Sequence, residues 1–224
     1  MLTLRLLGKP MLSDSQGRTV RFPSRKSEAL FLHLALRHDR CAPRGWLCHL
    51  LWGDRDEERA RASLRQCLRQ LAALSPLHGP LVAADRASVR LTADPLATDL
   101  DGLDGEGEEL VEACRRTLGV AVAAGHLLDG AEIGEEAYDD WLRDMRLRIA
   151  GDLAGRLTAA LETIEPGEAA RGNAGEAAAR VLQAVEPFDE FAYEWRIRHF
   201  VATGRRDLAL RQFARYARML REEF

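Results

Sequence analysis

Residues Glu57 to Leu74, EERARASLRQCLRQLAAL, constrain the fold more than any other stretch of the chain. At about 100° per residue, Ala60, Leu64, Cys67, Leu68, Leu71 and Leu74 share an arc of roughly 120°, the width of a helix stripe that must be buried. Arg65, Gln66, Arg69 and Ala73 lie opposite, flanked by Arg59, Ser63 and Gln70, with Ala62 between them. An ordinary solvated helix face mixes charges of both signs. Here no acidic residue follows Glu58 until Asp85, while Arg59, Arg61, Arg65 and Arg69 recur at helical spacing. One face is suited to a core and the other to an anion.

The flanking segments place this helix in an ordered series. LTLRLLG sets Leu2, Leu4 and Leu6 on one side of a strand, and TVRF follows a SDSQGR turn, so a small antiparallel sheet is expected. Ser24 is placed to N-cap a helix through RKSEALFLHLALRH, with Leu30 and Leu34 in its core stripe. CAPRG reads as a loop, with Pro43 suited to the first turn of a second helix that ends at Gly53. After the helix of residues 57–74 comes a turn, SPLHGP. LVAADRASVRLT then forms two short strands about Asp85 and Arg86, Val89 and Leu91 inward and Arg90 outward. Strands, three helices and a hairpin describe a winged helix-turn-helix.

Residues 93–107, rich in Asp, Gly and Pro, read as a linker, and strand signals end there. The expected architecture is an α+β winged helix-turn-helix over residues 1–95, followed by an all-α, tetratricopeptide-like domain over 96–224. The second part rests on helix pairs with short Gly- or Pro-containing links at roughly 35-residue spacing. Charge follows the same division. Residues 1–92 hold 16 Lys and Arg against 8 Asp and Glu, a net +8, whereas residues 93–224 hold 16 against 27, a net −11. A polyanion-binding half is therefore joined to an acidic half, and residues 1–92 alone are expected to bind duplex DNA.

On the third helix, Arg65, Gln66, Arg69 and Gln70 are candidates to read bases. Arginine donates two bonds to guanine, glutamine pairs with adenine, and small neighbours let the backbone approach. Arg44, Arg59, Arg61, Ser63, Arg86 and Arg90 are candidates for phosphate and wing contacts. No cofactor is expected. Cys41, Cys48, Cys67 and Cys114 form no CxxC pair and read as free thiols, and Cys41, Cys48 and His49 fit no zinc template. No apolar run reaches the roughly eighteen residues of a membrane span and the N-terminus lacks a signal-peptide layout, so a cytoplasmic protein is expected.

Two rival readings stay open. Glu135, Glu136, Asp139 and Asp140 with His126 or His199 supply acid–base groups, but no glycine-rich phosphate loop or nucleophile motif accompanies them, so an enzyme is not expected. The alternative is a helical-repeat adaptor whose winged helix does not read DNA, with Trp141, Trp195, Phe191 and Phe213 either lining a partner groove or filling the core.

The segments LRLLG, GRTVRFPSRKSEALFLHLAL and LLWGD…ARASLRQCLRQL resemble the DNA-binding half of the antibiotic-regulatory-protein (SARP) class of bacterial activators, an OmpR-like winged helix. HLLDG, YDDWLRDMRLRI and EPFDEFAYEWRIRHFVATGRRDLALRQFARY resemble the bacterial transcriptional activator domain that follows it in those proteins. The resemblance covers nearly the whole chain. It implies binding to short direct repeats upstream of a promoter and help in recruiting RNA polymerase, and the acidic helical half beside the winged helix is placed to pair two protomers head to tail on such repeats. It also implies that Arg65, Gln66, Arg69 and Gln70 fall at base-reading positions. AALSPLHG departs from the basic end common after the recognition helix, which lowers the affinity expected. No ATPase, receiver or forkhead-associated domain is present, and a helix running to the final residue fits a piece of a longer regulator.

Overall fold

A computed structural model of the chain describes residues 1–74, 79–93, 95–118, 126–168 and 171–223. They form two units, neither continuous in sequence. Unit 1 comprises Met1–Leu4, Met11–Thr98 and Gly130–Met145; unit 2 comprises Arg5–Pro10, Asp99–Asp129 and Arg146–Phe224. The turn expected at 75–78 and the helical continuation expected through 119–124 lie outside the described residues.

Unit 1 carries β1 (Leu2–Arg5, its last residue excepted), β2 (Met11–Ser13), α1 (Arg25–Ala35), β3 (Cys41–Pro43), α2 (Arg44–Trp52), α3 (Glu57–Ala72), β4 (Val82–Ala84), β5 (Ser88–Leu91) and β6 (Leu96–Thr98). α1 starts where the hydroxyl of Ser24 accepts from Ser27 N–H and Ser27 reaches back to the Ser24 backbone, a reciprocal cap that satisfies two orphan groups. Leu30 and Leu34 are fully buried on it.

The first sheet differs from the expected antiparallel one. Its order is β2-β1-β6, and β6, from the stretch read as linker, pairs parallel with β1, Leu2 opposite Leu96 and Leu4 opposite Thr98. Thr19 contributes only an isolated bridge to Ser13. The second sheet has the order β3-β5-β4. Cys41–Pro43, expected as loop, pairs antiparallel with β5, Ala42 opposite Val89. As the alternation requires, Val89 and Leu91 are buried and Arg90 is exposed.

Gly130–Met145 also belongs to unit 1 and packs on α1. Lys26 pairs with Glu135, and Arg25 donates to the carbonyls of Gly130 and Glu132. The His33 ring meets that of Trp141 at 4.5 Å, and Trp141 meets Tyr138 at 5.2 Å. His33 is buried, and desolvation with help from Arg37, opposed by Asp39, lowers its pKa to about 4. An unfolded histidine titrates near about 6.5, so on acidification the unfolded chain takes up the proton first. Stability from neutral His33 is complete above that value and falls as pH drops toward 4, by on the order of 3 kcal/mol. Thermal melts of His33→Leu should show a shallower loss of Tm across this window than the wild type. Parallel curves would exclude His33 as the group responsible.

Unit 2 contains α4 (Gly107–Leu118), the later part of α5 (Glu136–Glu162), α6 (Gly172–Val185), α7 (Glu190–Ala202) and α8 (Arg206–Glu223). α4 packs on α6, α6 on α7 and α7 on α8. Asp189 caps α7 by accepting from Ala192 N–H at 2.7 Å. Arg5–Pro10 is woven in here. The Asp99 carboxylate accepts from Leu6 and Leu7 N–H at 2.7 and 2.9 Å, and Leu128 N–H donates to Leu6 O at 2.8 Å. Gly175 lies so close beneath Trp195 that an added Cβ would meet the indole at 2.6 Å. All four cysteines are free, and no cluster able to hold a metal occurs among the described residues. No described helix is long and apolar enough to cross a membrane.

Candidate nucleic-acid interface

The start of α2, the exposed side of α3 and the tip of the β4–β5 hairpin, the wing, converge in unit 1. Pro43, at φ −62°, ends β3 and lets α2 begin at Arg44. The Arg44 backbone N–H donates to Ala87 O at 2.8 Å and its guanidinium donates to Asp85 O at 3.1 Å, which stitches α2 to the wing. Asp85 shapes the tip. Its carboxylate accepts from the N–H groups of Ser88 and Ala87, both at 2.7 Å, and from Ser88 Oγ at 3.1 Å, and these bonds hold its pKa below the usual carboxylate range. Between the three elements opens a hollow of about 340 Å³. Arg44, Arg61, Arg65 and Arg86 line it, with Leu64 and the small residues Gly45 and Ala87.

α3 has the two faces its periodicity demands. Ala60, Leu64, Cys67 and Leu71 are buried, Leu68 and Leu74 half-buried, and Arg65, Gln66 and Arg69 exposed, with Gln70 half-buried. Two carboxylates at its start, Asp56 and Glu57, are engaged locally. Asp56 N-caps the helix through Arg59 N–H and pairs with the Arg59 side chain at 3.1 Å, and Glu57 pairs with Arg61 at 2.5 Å. Ser63 Oγ donates to Arg59 O and accepts from Arg55, both at 2.9 Å. Arg55 is absent from the sequence-based set; a cation in the loop just ahead of a helix start was the available signal. Arg69 donates to Gln66 Oε1. Arg90 is exposed on β5, opposite Cys41 and Ala83 in register, and does not line the hollow. Among the described residues, no carboxylate pairs with Arg65, Arg69, Arg86 or Arg90.

Three of the four acids weighed as catalytic groups serve local structure. Glu135 pairs with Lys26, Asp139 accepts from Ile133 and Gly134 N–H at 2.9 and 3.0 Å, and Asp140 pairs with Arg143 at 2.8 Å. His199 accepts from Gly167 N–H through Nδ1 at 3.2 Å and stacks on Trp195. Of the aromatic residues weighed as a partner groove, Trp195 is buried, Trp141 and Phe191 are half-buried, and Phe213 is 61% exposed.

A winged helix joined to a helical unit is the class that this architecture defines. Among solved structures, the chain is similar to Mycobacterium tuberculosis EmbR in complex with a low-affinity phosphopeptide, with a TM-score of 0.57 and 21% identity. The likeness covers 100% of this chain but 60% of that one, so the chain spans less than two thirds of EmbR's length. At this identity the similarity establishes a shared fold. No family model matches the chain, and no curated protein is significantly similar to it.

Proposed function

We propose that the chain is a sequence-specific, DNA-binding transcription regulator of the SARP type, an activator acting in the cytoplasm. In this reading unit 1 reads direct repeats near promoters, two protomers pair head to tail on them, and the tetratricopeptide-like helices of unit 2 contact RNA polymerase. The observation that carries the proposal is the convergence of Arg44, Arg61, Arg65 and Arg86 beside an α3 face whose Gln66 and Arg69 project into solvent. Guanidinium groups around a concave surface are suited to phosphate, and exposed Gln and Arg on a neighbouring helix face are suited to base edges in a major groove.

The experiment is a binding titration of the full chain against duplex DNA at two salt concentrations. Each phosphate neutralised releases counterions, so affinity should fall steeply as salt rises. Arg44→Ala should weaken cognate and random DNA alike. Arg69→Ala should cost on the order of 1–3 kcal/mol on the cognate site and relax specificity there. The adaptor reading has one observation in its favour, Leu210 and Phe213 exposed at 70% and 61% on α8. Weak, salt-insensitive association with DNA would select it.

A further inference from the structure

We infer that the hollow between α2, α3 and the wing seats one backbone phosphodiester of bound DNA, and that Arg65 belongs to this seat rather than to the base-reading surface. The inference rests on the DNA-binding reading above. By helical position alone, Arg65 groups with Gln66, Arg69 and Gln70. The tertiary structure groups it instead with Arg44 and Arg86, 21 residues away on either side, and with Arg61 one turn earlier. Gln66, Arg69 and Gln70 lie outside that lining.

The chemistry of the hollow is that of an anion site. Four arginines from three elements line one open volume, and one of them, Arg61, is paired with Glu57. The Asp85 carboxylate at the wing is turned into its own loop, where Ala87 and Ser88 donate to it. Arg44 is already fixed by the carbonyls of Asp85 and Ala87, so ordering it costs little when a ligand arrives. Gly45, which has no side chain, and Ala87, with a single methyl, add little bulk to the lining. Burial raises the thiol pKa of Cys48 on α2, Arg44, Arg61 and Arg65 oppose the rise, and Glu57 adds to it. A base edge offers neutral donors and acceptors that four clustered cations do not distinguish, whereas a phosphodiester supplies the charge they lack. Base discrimination therefore falls to Gln66, Arg69 and Gln70.

The test selects binding sites from a randomised duplex pool with the full chain, wild type and Arg65→Ala. Arg65 is exposed, and matching thermal melts establish that the variant is folded. The variant should recover the wild-type consensus, bind every sequence roughly tenfold more weakly, and lose about one from the slope of log affinity against log salt. On the selected site, a neutral methylphosphonate at a single position should weaken the wild type more than it weakens Arg65→Ala. An altered base preference in Arg65→Ala would overturn the inference while leaving DNA reading intact, as would an unchanged salt slope. Inorganic phosphate competing strongly at matched ionic strength would make the hollow a free-anion site and overturn it too. A wild type that binds no duplex in a salt-dependent way would remove both this inference and the DNA-binding reading.

Discussion

A chain ending at residue 107 is expected to lose the winged-helix fold along with the helices it lacks. Such a fragment retains every strand of unit 1 and its first three helices, but not Gly130–Met145. Tyr138, Leu142 and Met145 are buried in that segment, Trp141 packs on His33, and Glu135 pairs with Lys26. Fully burying a large apolar side chain contributes about 1.5–3 kcal/mol, so losing Tyr138, Leu142 and Met145 alone removes roughly 5–9 kcal/mol. That is comparable to the whole stability of an ordinary domain, about 5–15 kcal/mol. The fragment should therefore melt without a cooperative transition and bind DNA far more weakly than the full chain. In the full chain, Trp141→Ala should lower Tm without touching any residue of the basic hollow. A 1–107 fragment that melts cooperatively and matches the full chain's affinity would show that the segment is dispensable. The same experiment tests the expectation that residues 1–92 suffice, since a composition split by charge does not register that Gly130–Met145 belongs to the first unit.

The second large effect lies in unit 2. Arg196 on α7 donates to Gln183 Oε1 at 2.6 Å, to Gln212 Oε1 at 3.0 Å and to Glu176 Oε1 at 3.0 Å, and its guanidinium lies over the Phe200 ring. One side chain thus ties α6, α7 and α8 together, with Arg196 and Glu176 largely shielded from water. Removing one member of a buried pair strands the other, at about 3–5 kcal/mol. Arg196→Ala should show this loss in urea denaturation. Replacing both members, Arg196→Met with Glu176→Leu, should recover most of it, since no charge is then left unpaired. If the double variant were as unstable as the single one, packing rather than the stranded carboxylate would account for the loss.

What the residues determined by themselves is local. The Ser24 cap and the two faces of α3 are encoded within a few turns, where spacing alone decides which side chains share a face. The same holds for the alternation of Val89, Arg90 and Leu91. Contacts between distant segments left no such trace. β6 is three residues long, too short to show a period, and it becomes a strand because β1 offers it an edge. The Cys41–Pro43 strand likewise exists through its pairing with β5. Arg44, Arg65 and Arg86 are scattered in sequence and meet only because the wing folds back onto α2. The Asp56–Arg59 and Glu57–Arg61 pairs, three and four residues apart, are local by contrast, whereas the path of the whole chain decides the distant contacts. It also brought Gly130–Met145 onto α1. Periodicity records which face of an element is buried; which segment covers that face depends on the path of the whole chain.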